Sequence, residues 1–279
     1  MTPHPADAPD APDAFEHAFV VDQTTLATTV VTNGHPQSHV NLADPTQLDF
    51  EYLLHIAVIL DTLPPGRLRV THVGGAGLSL ARYVQFTRPG SPQIVLEPDH
   101  ALTEQVRKRL PLPRGHRIRV RGIDGAAGLA VLQAASADVV IVDAFRDGQV
   151  PAELTTREFF AQTARVLSDA GVLIVNLADE PGLHYLVRAM AGVVDSLPHA
   201  AVVALHDVLK GRRFGNAVML ASRHPLDPDE LRRRLARGPA AAGVRAGESL
   251  QRLLASARPF DSTDASPSPA PPQPGRWRR

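Results

Sequence analysis

Four acidic or glycine-rich positions carry the chemistry of this chain. Gly74-Gly75-Ala76-Gly77 lies between an apolar run, 68–73 (LRVTHV), and a stretch of helical character, 78–87. Glycine lets the backbone turn sharply and approach a ligand closely, and the N-terminus of the following helix favours polar or anionic groups. Glu97 closes the next apolar run, twenty residues after Gly77. An acid there either accepts the hydroxyls of a ribose or is an ordinary exposed carboxylate. Asp124, in Gly122-Ile123-Asp124-Gly125, either reaches the exocyclic amine of a purine or serves the turn itself. Asp143 ends the run Val139-Val140-Ile141-Val142. A carboxylate at the carboxyl end of a central strand is a general base or amine contact, or else a loop or helix cap.

Other chemistries find no support. The histidines are scattered without metal-type spacing, and His72, inside an apolar run, reads as packed. There is no serine elbow, no phosphate-binding Walker loop and no paired-histidine helix. Gly75-x-Gly77 is followed by Leu80 where the third glycine of a dinucleotide fingerprint would stand, which counts against an NAD dehydrogenase.

The elements that must position these residues follow from periodicity. From Leu68 onward, continuous apolar runs (68–73, 93–97, 117–121, 138–143 and 171–177) alternate with helical stretches at 78–87, 99–109, 126–135, 155–168 and 181–196. Runs apolar on both faces belong to a covered parallel sheet. Thr155-x-x-Glu158 is a candidate capping box. Runs at 201–206 and 216–221 then follow with no helix between them, an antiparallel hairpin that closes the sheet. Helices at 227–237 and 248–256 come last. Before the α/β region, 15–43 is rich in Val and Thr, and Asn33-Gly34 between β-prone runs signals a hairpin. A helix is expected to start at Asp44-Pro45, with Asp as cap and Pro at the first helical position.

The expected organisation is therefore a disordered tail over 1–14, a small β-rich unit over 15–43, an α/β nucleoside-binding domain over 44–261 and a disordered Pro-rich tail over 262–279. The β-unit is too small to stand alone, so pairing with another subunit as a homodimer is one expectation. With 29 basic and 29 acidic residues the formal charge is +0, which disfavours a nucleic-acid partner. No cysteine is present, so disulfides and thiolate metal sites are excluded. The acidic, Pro-rich start lacks the pattern of a signal peptide and no apolar stretch is long enough for a bilayer, so a soluble cytoplasmic protein without membrane association is expected.

Taken in order, the β-rich start, Gln37-Ser38-His39, Asp49-Phe50-Glu51-Tyr52, the Gly-Gly-Ala-Gly turn, Glu97, Asp124 and the strand ending in Asp143 resemble the spermidine synthase (aminopropyltransferase) family over roughly residues 15–222. The resemblance implies a methyltransferase-like, Rossmann-type α/β fold: a mostly parallel seven-stranded sheet with a closing antiparallel hairpin, preceded by a small N-terminal β-unit. It implies a donor site for decarboxylated S-adenosylmethionine or S-adenosylmethionine, made by Gln37, Gly74, Gly75, Gly77, Glu97 and Asp124, with no metal. It also implies Asp143 as the base that takes a proton from a small-molecule amine, and Tyr52 and Asp147 on the substrate side. Ala76 stands where the family carries an acid, Leu53-Leu54 follow Tyr52 where it carries His-Glu, and Asp143-Ala144-Phe145-Arg146-Asp147 displaces the second acid. The implied activity is aminopropyl transfer to an amine with a divergent acceptor site. A methyltransferase on the same scaffold and a catalytically silent nucleoside binder are the alternatives.

Overall fold

In a computed structural model, residues 16–238 and 242–272 are described. Strands β1 (His17–Val21), β2 (Thr28–Thr32) and β3 (His35–Val40) form an antiparallel three-stranded sheet. Asn33 and Gly34, at φ 50° and 78°, make the two-residue turn between β2 and β3, as the Asn-Gly pair predicts. The chain then runs through α1 (Glu51–Thr62), β4 (Val70–Val73), α2 (Ser79–Thr87), β5 (Gln93–Leu96), α3 (His100–Arg109) and β6 (Ile118–Arg121). It continues with α4 (Gly125–Val131), β7 (Ala137–Val142), α5 (Arg157–Val166), β8 (Leu167–Asp179), α6 (His184–Val194), β9 (His199–Ala204) and α7 (His206–Leu209). Strand β10 (Gly215–Ser222), α8 (Pro228–Arg237), β11 (Gly243–Ala246) and α9 (Glu248–Leu254) complete it.

The main sheet has the order β11-β9-β10-β8-β7-β4-β5-β6. Strands β6, β5, β4, β7 and β8 are parallel neighbours, and β10 lies antiparallel between β8 and β9. The expected closing antiparallel pair is therefore present, although the one-turn helix α7 lies between its strands where no helix was expected. The sheet has eight strands and not seven, because Gly243–Ala246 pairs antiparallel with Ala201–Ala204. Helices α4, α5, α6 and α9 cover one face through residues such as Leu129, Phe160, Met190 and Leu250. Helices α1, α2 and α8 cover the other through Ile56, Tyr83 and Leu231. The small sheet does not stand free: Val30 and Val40 are buried against Leu78, Ala81 and Val95 of the α/β domain. That burial supplies what three short strands lack alone.

Three local expectations are corrected. Helix α1 starts at Glu51, seven residues after the expected cap. Asp44 is instead spent on a tight turn, its Oδ1 accepting from the Thr46 amide (3.0 Å) and hydroxyl (2.6 Å). The cap of α5 is Thr156, which accepts from Phe159 N at 3.2 Å, and not Thr155. Thr155 is buried and its hydroxyl meets Tyr185 Oη at 3.0 Å.

The third correction concerns the C-terminal segment. The tail expected over 1–14 lies outside the described residues, as do 273–279, but 262–272 is a packed strap. Phe260 pairs with Thr156 in an isolated bridge. Ser268 is fully buried: its hydroxyl accepts from Val150 N at 2.9 Å, its own N–H donates to Val150 O at 3.1 Å, and Gln149 Nε2 donates to its carbonyl. Composition misled here because three hydrogen bonds to the loop after β7 replace the apolar burial the segment lacks. Ser268→Ala leaves the buried Val150 N–H without an acceptor, and such an orphan costs about 1–3 kcal/mol. The expected result is faster amide exchange and proteolysis at 144–151 and 262–272, with the sheet core unchanged.

Candidate functional site

Strands β4 and β7 are neighbours whose connections leave in opposite directions, and the crevice at such a switch point is where ligands bind in open α/β sheets. Two connected lobes lie there, of about 420 Å³ and about 460 Å³. Gln37, Gly74, Gly75, Ala76, Asp143 and Phe145 line both.

The first lobe lies over the ends of β4, β5 and β6, with Glu97, Asp99, Asp124, Arg146 and Asp147 on its walls. Gly74 has φ +91°, and a Cβ there would sit 2.2 Å from the Asp143 carbonyl oxygen. Only glycine permits that approach. The buried Glu97 holds the turn: Oε2 accepts from Gly75 N (2.9 Å) and Ala76 N (3.0 Å), and Oε1 from Asp99 N (2.9 Å). A carboxylate offers about four lone-pair sites, so three are engaged and one is left for a ligand hydroxyl, fewer than the two a ribose presents. Glu97→Gln sets an N–H against at least one backbone N–H whichever way the amide turns. The expected loss is about 1–3 kcal/mol of stability, read as a lower Tm.

Asp124 is exposed and caps α4, accepting from Ala127 N at 2.8 Å, while also lining this lobe. Both sequence readings of it thus remain compatible with its place. Gly77 is a correction: it lines neither lobe. Its N–H donates to Ser38 Oγ at 3.0 Å and a Cβ would meet Ser38 Cβ at 2.8 Å, so it serves the joint between the small sheet and the domain. Asp147 lines the first lobe and not the one holding Tyr52. Arg146 and Gln149 exchange backbone hydrogen bonds across Asp147-Gly148, at φ 52° and 77°, so Asp147 belongs to a tight turn. Its Oδ1 accepts from Asn33 Nδ2 at 3.1 Å.

The second lobe is walled by Phe50, Tyr52, Leu53, Phe145, Phe214 and Pro271. The Phe50 and Tyr52 rings stack with centroids 5.9 Å apart. Asp143 sits where the lobes meet. Its Oδ1 accepts from Asn176 Nδ2 at 2.9 Å, and it accepts a second hydrogen bond from the Tyr52 hydroxyl. Asn216 Nδ2 in turn donates to Asn176 Oδ1 at 3.0 Å, which fixes the amide orientation. Burial pushes the Asp143 carboxyl up to about 6, against the opposing pull of the Asn176 and Tyr52 bonds. Burial, and then the negative charge of Asp143, raises the Tyr52 phenol well above its usual range. His72 is packed as expected, bonded through Nε2 to Gln93 Oε1 at 2.8 Å and driven down to about 4 by burial.

Asn176 and Asn216 were not anticipated. The signal was there: each is a lone amide in an apolar strand, and Asn176 is fully buried. Among the described residues no cluster of three His, Asp or Glu is placed to hold a metal ion, and no helix is long and apolar enough to cross a membrane.

A mostly parallel sheet of this order with a glycine turn after its first central strand is a methyltransferase-like fold. No family model matches the chain. A polyamine aminopropyltransferase of Neisseria meningitidis serogroup A is 24% identical over 170 residues, covering 60% of this chain and 63% of that relative, so the match spans less than two thirds of its length. The crystal structure of a probable spermidine synthase from Corynebacterium glutamicum superposes with a TM-score of 0.82 at 28% identity, covering 92% of this chain and 97% of that one. Human methyltransferase-like protein 13, in complex with SAH, has a TM-score of 0.50 at 22% identity over 76% of this chain and 93% of its own, a likeness of fold alone. The chain is spermidine synthase-like in sequence and in fold.

Proposed function

We propose that the protein transfers an aminopropyl group from decarboxylated S-adenosylmethionine to a small amine. The observation that carries this reading is Asp143, held by Asn176 and Tyr52 at the junction of two lobes. The nucleoside part of the donor occupies the lobe of Glu97 and Asp124, and the acceptor amine lies in the aromatic lobe. Asp143 takes a proton from the incoming ammonium, because only the neutral amine has a lone pair. That lone pair attacks the donor carbon bonded to sulfur, the C–S bond breaks, and its electrons neutralise the sulfonium to a thioether. Holding the amine in line with that bond is the larger part of the catalysis. A carboxyl titrating near 6 is mostly ionised at neutral pH yet more basic than a surface aspartate.

Thermal shift with decarboxylated S-adenosylmethionine, S-adenosylmethionine and methylthioadenosine tests the donor, since a ligand that binds only the folded state stabilises it. Mass spectrometry of products with an amine present then separates propylamine transfer from methyl transfer. Absence of any shift with all three sinks the reading. A methylated product with S-adenosylmethionine replaces it by the methyltransferase alternative.

A further inference from the structure

We propose that the acceptor is an amine with a single ammonium head and an apolar body, rather than a diamine or polyamine. This rests on the transferase reading and names the substrate class of its second lobe. Among the described residues that line the lobe, Asp143 is the one carboxylate, and no Lys or Arg accompanies it. Asp143 is committed to the nitrogen that reacts. A second ammonium four methylenes away therefore lies among Phe50, Leu53, Phe145, Phe214 and Pro271, with the buried, neutral His72 behind them. Moving a charge out of water without a counter-charge is strongly unfavourable, and aromatic faces recover only part of the lost hydration. An alkyl or aryl body reverses the balance, because the same walls gain from covering it. The lobe holds about 460 Å³, room for a phenyl ring or a six-carbon chain beside the reacting nitrogen. Of the polar side chains along it, Asn216 bonds Asn176 and Ser79 Oγ donates to His39 O at 2.8 Å, while His35 and Gln37 also line the lobe and neither is a carboxylate.

The test is a panel of primary amines with the full-length protein and decarboxylated S-adenosylmethionine: putrescine, n-butylamine, n-hexylamine and phenethylamine. The expected result is a kcat/KM at least tenfold higher for hexylamine and phenethylamine than for putrescine. From butylamine to hexylamine it should rise about fourfold per methylene. Putrescine equal to or better than the monoamines overturns the inference and leaves the transferase reading intact. A parallel binding arm, thermal shift by each amine with methylthioadenosine present, decides the lobe without turnover. If nothing is alkylated but the monoamines stabilise more than putrescine, the transferase reading fails and the lobe assignment stands; the reverse ranking overturns it. Phe214→Glu supplies a second carboxylate and is expected to shift preference toward putrescine. Should that variant not fold, the wild-type panel is decisive alone.

Discussion

Asp143→Asn is expected to reduce turnover by about 10²–10⁴-fold while making the protein more stable at pH 8. The side chain keeps its size, and the new amide oxygen can still accept from Asn176 Nδ2, so the geometry around it survives. What goes is the ability to take a proton. The stability gain follows from linkage. The folded pKa of Asp143, about 6, lies above the ordinary 3.8. The contribution of this group to stability is thus fully present below 3.8 and is lost as pH rises through 6. Above that, the buried negative charge weakens the fold, and removing it returns about 1–3 kcal/mol, with partial exposure of Asp143 favouring the lower end. For a chain of this length that is a Tm increase of roughly 2–6 °C. The difference between variant and parent should vanish in melts near pH 4. Turnover of the parent should fall about tenfold per pH unit below 6, as the carboxylate is protonated. A variant that keeps its turnover shows that the base lies elsewhere.

Gly74→Ala should be the most damaging single methyl in the crevice. The backbone at φ +91° is strained for any residue with a Cβ, and the added carbon would lie 2.2 Å from Asp143 O and 2.9 Å from its carbonyl carbon. Both are backbone atoms of a central strand end and cannot swing aside. Strain and overpacking together cost at least about 3 kcal/mol, a Tm loss of roughly 6 °C or more at this chain length. Gly66→Ala is the control, since φ there is +109° with nothing within 4 Å of the added carbon. It carries the conformational cost without the collision. Because the collision is with the residue assigned as base, the surviving Gly74→Ala protein should lose both affinity for an adenosyl ligand and turnover. If it melts and binds like Gly66→Ala, the close approach of turn and strand is not a feature of the protein in solution.

The fold was legible because β4, β5, β7, β8 and β10 are apolar on both faces and alternate with helices, a pattern that few architectures satisfy. Strand β11 was not, since four residues with one buried side chain carry no periodic signal. The start of α1 was misplaced because Asp44-Pro45 is equally good chemistry for a turn. In the site, Glu97, Asp124 and Asp143 stood out as acids at strand ends. Their sequence positions do not reveal that Glu97 spends three hydrogen bonds on its own backbone, or that Gly77 faces Ser38. Asn176 and Asn216 come from strands 40 residues apart, and their meeting depends on the register of β8 with β10. The aromatic lobe was least legible of all, because Phe50, Phe145, Phe214 and Pro271 come from four separate segments.

Both limits of the described chain come to the crevice: His17 lines the first lobe and Pro271 the second. Pro271 Cγ lies where a Cβ on Gly148 would be 2.8 Å away. For protein engineering this makes the positions beside His17 and Pro271 poor places for a label, and the far edge of the sheet a better one. The loop at Gly115, between α3 and β6, is exposed with open space around it. Because the chain has no cysteine, a single thiol introduced beside Gly115 takes a fluorophore that leaves the crevice alone. The same dye on Pro271→Cys becomes a reporter of what enters the aromatic lobe.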